Sequence, residues 1–192
     1  MQGGADVNMT ENGIVASRPA HRARERPRMP ALLKDILLLL LKIAAIIAAF
    51  ALAFTFLYGL HRNTDASMSP AVSDGDLALF YRLDKTYAPG DTLLLEYRGQ
   101  RQVRRVIATA GDTVDITGDG LMVNGALQQE PEIYQQTQRY TDGVTFPLAV
   151  GEGQVFVLGD ARENAADSRI YGAVDATDTL GKVIAILRRR NI

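Results

Sequence analysis

The chain has 192 residues, no cysteine and a formal charge of −1, which is room for one domain of ordinary size plus a segment of another kind. These totals exclude a disulfide framework, a thiolate nucleophile and a Cys-ligated zinc site. Lys and Arg stand against Asp and Glu at 7 to 4 over residues 1–60 and 14 to 18 over residues 61–192, so the bulk of the chain is mildly acidic and has no basic face for nucleic acid.

Residues 1–30 scatter Gly, Asn, Pro and Arg without apolar periodicity and read as a disordered basic segment. From 36 to 60 the chain reads ILLLLLKIAAIIAAFALAFTFLYGL, interrupted by Lys42 alone. A helix needs roughly 20 apolar residues to cross a bilayer, and a cleavable signal peptide has a core of about 7–15 behind a short leader. The sequence therefore predicts an uncleaved single-pass anchor over 36–60. Arg18, Arg22, Arg24, Arg26, Arg28 and Lys34 precede the span, against Arg62 and His61 after it, so the leader is expected in the cytoplasm and residues 61–192 outside the plasma membrane. Lys42 either extends toward the near headgroups or faces a partner helix.

Beyond Pro70 the pattern changes to short β-branched and apolar stretches: DLALFYR (76–82), TLLLEY (92–97), QVRRVIAT (102–109), TVDI (113–116), LMVNG (121–125), QVFVLG (154–159) and KVIAILRR (182–189). Turn signals separate them, Asn124-Gly125 being a strong hairpin dipeptide. No helical period is visible after the anchor. The expectation is a mostly β, antiparallel domain with a long polar excursion over 128–145. Arg188, Arg189 and Arg190 near the end either touch lipid headgroups or are solvated.

Two clusters carry candidate chemistry. DASMSP (65–70) is either a turn at the start of a domain or a serine nucleophile held just after an anchor. GDARENAADSR (159–169) packs Asp160, Arg162, Asp167, Ser168 and Arg169 together, either as solvated loop charges or as bidentate pairs that stiffen a site. No cofactor or metal motif is present in the sequence.

With QVRRVIATAGDTV (102–114), these blocks resemble the type I signal peptidase family in order, spacing and preceding anchor. The resemblance implies a β-rich domain on the outer membrane surface and a serine endopeptidase that cuts signal peptides from exported precursors bound in extended form along a strand edge. It places Ser67, followed by Met68, at the nucleophile. Arg105 falls on the arginine that follows the family's lysine base, and Asp160, Arg162, Asp167, Ser168 and Arg169 on the block supporting that base. Arg104 then stands where the lysine belongs. Holding an arginine neutral at pH 7 costs on the order of 7 kcal/mol, so it is expected not to deprotonate serine. Ala161 and Ala165 stand where active relatives usually have Asn and Ser, and Asp65 stands where some have an oxyanion-binding hydroxyl. An ionised Asp65 would oppose oxyanion charge unless Arg62 or Arg104 pairs with it. The other candidate bases are Lys85 and Lys182, which read as strand-edge or turn residues, and His61, which reads as interfacial. The sequence therefore leaves two functions open. One is a signal peptidase of impaired activity; the other is an inactive peptide-binding assembly factor, as in pilus loci, with exported precursors or pilus subunits as partners.

Overall fold

A computed structural model describes residues 30–188, so the basic segment over 1–29, Arg189 and Arg190 lie outside the described residues. Helix α1 runs Ala31–Phe56 and is long and apolar enough to cross a membrane. Its Leu, Ile and Phe side chains are exposed, as lipid contact requires, and the Thr55 hydroxyl donates to the Ala51 carbonyl at 2.7 Å within the helix. The apolar run continues in sequence to Leu60, but Tyr58–Arg62 forms strand β1 instead of a last helical turn. Arg82 fixes the change of geometry: its backbone N–H donates to Leu57 O at 2.8 Å and its Nε to Tyr58 O at 3.0 Å. Gly59 lies flat on the Phe80 ring, where a Cβ would come within 2.2 Å of a ring carbon.

The remaining strands are β2 (Leu77–Tyr81), β3 (Thr92–Tyr97), β4 (Gln100–Thr109), β5 (Thr113–Thr117), β6 (Gly120–Val123), β7 (Ala126–Leu127), β8 (Leu148–Ala149), β9 (Gln154–Leu158), β10 (Val174–Asp175) and β11 (Gly181–Leu187). Among the described residues one short α-helix, α2 (Ser168–Tyr171), follows α1; it escapes sequence detection because a single turn has no period to read. All strand pairs are antiparallel and form a seven-stranded sheet, β1-β2-β11-β3-β4-β9-β10, and a four-stranded sheet, β7-β6-β5-β8. The β6–β7 hairpin turns on Asn124 and Gly125, both at positive φ (53° and 77°), as a tight two-residue turn demands.

The continuous apolar runs of β3 and β9 follow from a large sheet covered on both faces. Leu93 and Leu95 join Val155 and Val157 in one core, Leu94 joins Met68 and Phe80 in a second, and Phe156 and Leu158 join Ile116 and Leu121 in a third. The second core positions the turn carrying Ser67, because Met68 is 1% exposed and sits among Val72, Ala78, Phe80, Leu94 and Val103. The polar excursion carries no strand between Leu127 and Leu148.

Candidate active site

The turn carrying Ser67 is fixed from both ends. Asn63, itself buried, donates its side-chain amide to Asp65 O at 2.5 Å and Ser73 O at 3.1 Å, and its backbone bonds Asp76 and Gly75. On the other side, Ala161 N donates to Ser67 O at 2.9 Å, tying the turn to the chain leaving β9. Gly159 makes that approach possible: a Cβ there would lie 2.7 Å from Ser67 O and 2.3 Å from the Ala165 methyl. Gly159→Ala is expected to destabilise the domain by about 1–3 kcal/mol through overpacking, measurable by denaturant unfolding, and to shift the Ser67 turn.

Ser67 is buried and its polar atoms are engaged. Its hydroxyl donates to Asp65 Oδ2 at 2.5 Å, its backbone N–H donates to Asp65 Oδ1 at 2.8 Å, and Arg104 Nη1 donates to its Oγ at 2.6 Å. The O–H···O⁻ distance is that of a charge-assisted bond. Arg104, 1% exposed, reaches the site from β4 and also donates to Asp65 Oδ2 (3.2 Å), Val103 O (2.6 Å), Gln102 Oε1 (3.0 Å) and, through Nε, Ala166 O (3.0 Å). The pairing that would relieve Asp65's opposition to negative charge is therefore made, by Arg104 rather than Arg62. Burial raises the Asp65 pKa, but the two bonds from Ser67 and the Arg104 charge outweigh it and hold the carboxyl below its usual range.

The two lysines among the other candidate bases are committed elsewhere. Lys85 Nζ donates to Thr179 O, and Lys182 Nζ pairs with Asp91 at 2.6 Å. His61 lies on β1 opposite Ala78, its Nε2 buried without a hydrogen-bond partner. Burial, and then Arg101, lower its pKa.

The second cluster is buried, and its charges form pairs. Arg105 grips Asp160 with two bonds, at 2.8 and 2.6 Å. Arg162, fully buried, grips Glu130 at 2.7 and 2.5 Å and also donates to Thr137 Oγ1, pinning the polar excursion to the site loop. Asp167 accepts from Arg169 through its N, Nε and Nη2 and from Gly159 N, at 2.8–3.1 Å. Ser168 Oγ accepts from Val157 N at 2.9 Å. Asp160, Arg162, Asp167, Ser168 and Arg169 therefore brace the loop behind Ser67, while the Ala166 carbonyl is the part of that loop in contact with Arg104.

Several contributors have weaker sequence signals. Gln102 is two residues from Arg104 on one strand face, which strand periodicity could have flagged. Asn63, Glu130, Thr137 and Tyr171 carry none. The Tyr171 hydroxyl is buried without a well-formed hydrogen bond yet within electrostatic reach of Arg104, and burial pushes its pKa up. Strand β9 ends opposite Arg105, leaving residues 100–104 of β4 paired with β3 alone. An open cleft of about 370 Å³ lies beside the turn, lined by Ser69, Pro70, Glu132, Tyr134, Gln135, Asp160 and Ala161.

A serine turn, a strand delivering a charged side chain to its hydroxyl and a braced loop behind both define a peptidase-type site on an antiparallel β domain. The chain belongs to the signal peptidase family, peptidase S26, whose profile matches residues 35–188. It is 30% identical to signal peptidase I of Bacillus licheniformis over 141 residues, covering 66% of this chain and 76% of that protein. It is 27% identical to signal peptidase IB of Staphylococcus aureus strain COL over 168 residues, covering 78% and 88%. A crystal structure of a signal peptidase I from Enterococcus faecalis V583 aligns with a TM-score of 0.43 at 27% identity, covering 52% of this chain and 97% of that one. The apolar helix α1 is consistent with a single-pass membrane anchor.

Proposed function

We propose that this protein is a membrane-anchored serine endopeptidase that removes signal peptides from exported precursors, and that it turns over slowly. The family and the serine turn support the activity; one observation carries its slowness. The side chain 2.6 Å from Ser67 Oγ, delivered by β4 in the place of the family's base, is the guanidinium of Arg104, which donates and has no lone pair free to accept. The second departure compounds the first, because the Ser67 N–H, a natural donor to a developing oxyanion, is already held by Asp65. The basic leader supports an N-terminus in the cytoplasm and the β domain outside. An extended precursor would add along residues 100–104 of β4, beside Ser67, in the manner of strand augmentation.

The occupied serine also favours a second reading, in which the groove binds exported polypeptides or pilus subunits without cutting them. Full-length protein in detergent, incubated with a solubilised precursor and followed by intact mass, separates the two. Slow appearance of mature product, lost in Ser67→Ala, supports the peptidase. Stable precursor binding with no product over many hours supports the binding module.

A further inference from the structure

We propose that Asp65 is the proton acceptor for Ser67, with Arg104 as the fixed cation that stabilises the deprotonated oxygen. This inference rests on the peptidase reading and assigns it a base. Among the described residues, Asp65 Oδ2 is the acceptor placed on the Ser67 hydroxyl, at 2.5 Å, and no lysine or histidine side chain bonds it. The carboxylate is aimed twice over: Oδ1 takes the Ser67 N–H, leaving Oδ2 facing the hydroxyl, and the Asn63 amide holds the Asp65 carbonyl. The charged group facing it from a neighbouring element is Arg104 of β4, with the Tyr171 phenol of α2 beyond.

The step balances without a further reactant. Oγ bonds to the scissile carbonyl carbon, its proton passes to Asp65 Oδ2, and the carbonyl π pair moves to oxygen. When the C–N bond breaks, Asp65 returns the proton to the leaving amine. Water then attacks the acyl-serine, giving a proton to Asp65, which hands it to the departing Oγ. Arg104 stays protonated throughout and keeps its bond to Oγ as negative charge develops there. A carboxylate held below its usual range is a weak base for an alcohol, which makes this route slower than one through a neutral amine.

Phosphonylation of Ser67 by a fluorophosphonate reads the acceptor without requiring precursor turnover, because the same proton must leave as phosphorus bonds Oγ and fluoride departs. Full-length protein is treated with the probe from pH 5 to 9, adducts are quantified by intact mass, and thermal melting confirms folding of each variant. The expected result is an adduct on Ser67 whose rate is flat from pH 5 to 8, since Asp65 is ionised throughout. Asp65→Asn, which can still accept the Ser67 N–H, is expected to lose at least about 100-fold and acquire a rate proportional to hydroxide. Asp65→Glu is expected to keep a flat profile at a reduced rate. Absence of any Ser67 adduct on the wild-type protein, a wild-type rate in folded Asp65→Asn, or a wild-type rate that climbs tenfold per pH unit would each overturn the assignment. An Asp65-dependent adduct without precursor cleavage would refute the peptidase reading and leave the acceptor in place.

Discussion

The double variant Arg104→Lys, Asp65→Ser is expected to cleave a precursor on the order of 10²–10⁴ times faster than wild type at pH 8–9, the range that a positioned general base supplies. The lysine would occupy a buried position beside Gln102 Oε1 and the carbonyls of Val103 and Ala166, groups that now orient the guanidinium. Burial lowers a lysine pKa, so a useful fraction of neutral amine is available above pH 7. Removing Asp65 is as necessary as adding the lysine. A carboxylate within ion-pair distance would hold the ammonium charged, and the present one also occupies the Ser67 N–H. Arg104→Lys alone is therefore expected to gain much less. The pH profile should also invert, from a flat plateau to a rate that rises with pH until the lysine is neutral. Steady-state kcat/KM measured on the two variants and on a triple variant carrying Ser67→Ala checks each part. Equal rates in wild type and the double variant would mean that the Arg104 position does not face the reacting hydroxyl.

Asp167→Ala is expected to destabilise the domain by about 3–5 kcal/mol, the cost of breaking a buried ion pair and leaving one partner's charge uncompensated. Asp167 and Arg169 are both buried, and the carboxylate is the junction of the site loop, joining Arg169 to Gly159 N at the end of β9. Arg169 in turn donates to Gln138 O in the polar excursion and to Arg162 O, so losing its counter-ion loosens three segments together. Denaturant unfolding of the full chain in detergent, followed by tyrosine fluorescence, gives the loss directly. Arg105→Ala should cost less, because Arg105 lies partly exposed over Asp160, so its removal lets water reach the carboxylate it leaves behind. A similar loss for both variants would contradict the central place given to Asp167.

Much of this architecture is legible in the sequence because the large sheet leaves strong local marks. TLLLEY and QVFVLG read as strands since both faces of β3 and β9 are covered, and the Asn-Gly pair reads as the hairpin it forms. Strand β1 is hidden because LYGL is as apolar as the helix before it; what separates them is pairing with β2 and the Phe80 ring under Gly59, both long-range facts. The charged loop over 159–169 fits equally well as solvated or paired when read locally. Its burial depends on Glu130 and Thr137, more than 20 residues upstream in a stretch with no strand. At the site itself, the family resemblance pairs Ser67 with the position of Arg104, and the structure places the Arg104 Nη1 2.6 Å from the Ser67 hydroxyl. The direction of the Asp65 carboxylate is not legible, since a side chain two positions before Ser67 can face its hydroxyl or face away.

The pH–rate profile of the unmodified full-length protein on a precursor, measured from pH 5 to 9 in detergent, bears most directly on a serine served by a carboxylate and a guanidinium instead of an amine. The expected result is slow cleavage, level from pH 5 to 8 and absent in Ser67→Ala. Rapid Ser67-dependent cleavage that climbs through pH 7–9 would reveal a neutral amine at the hydroxyl and contradict it.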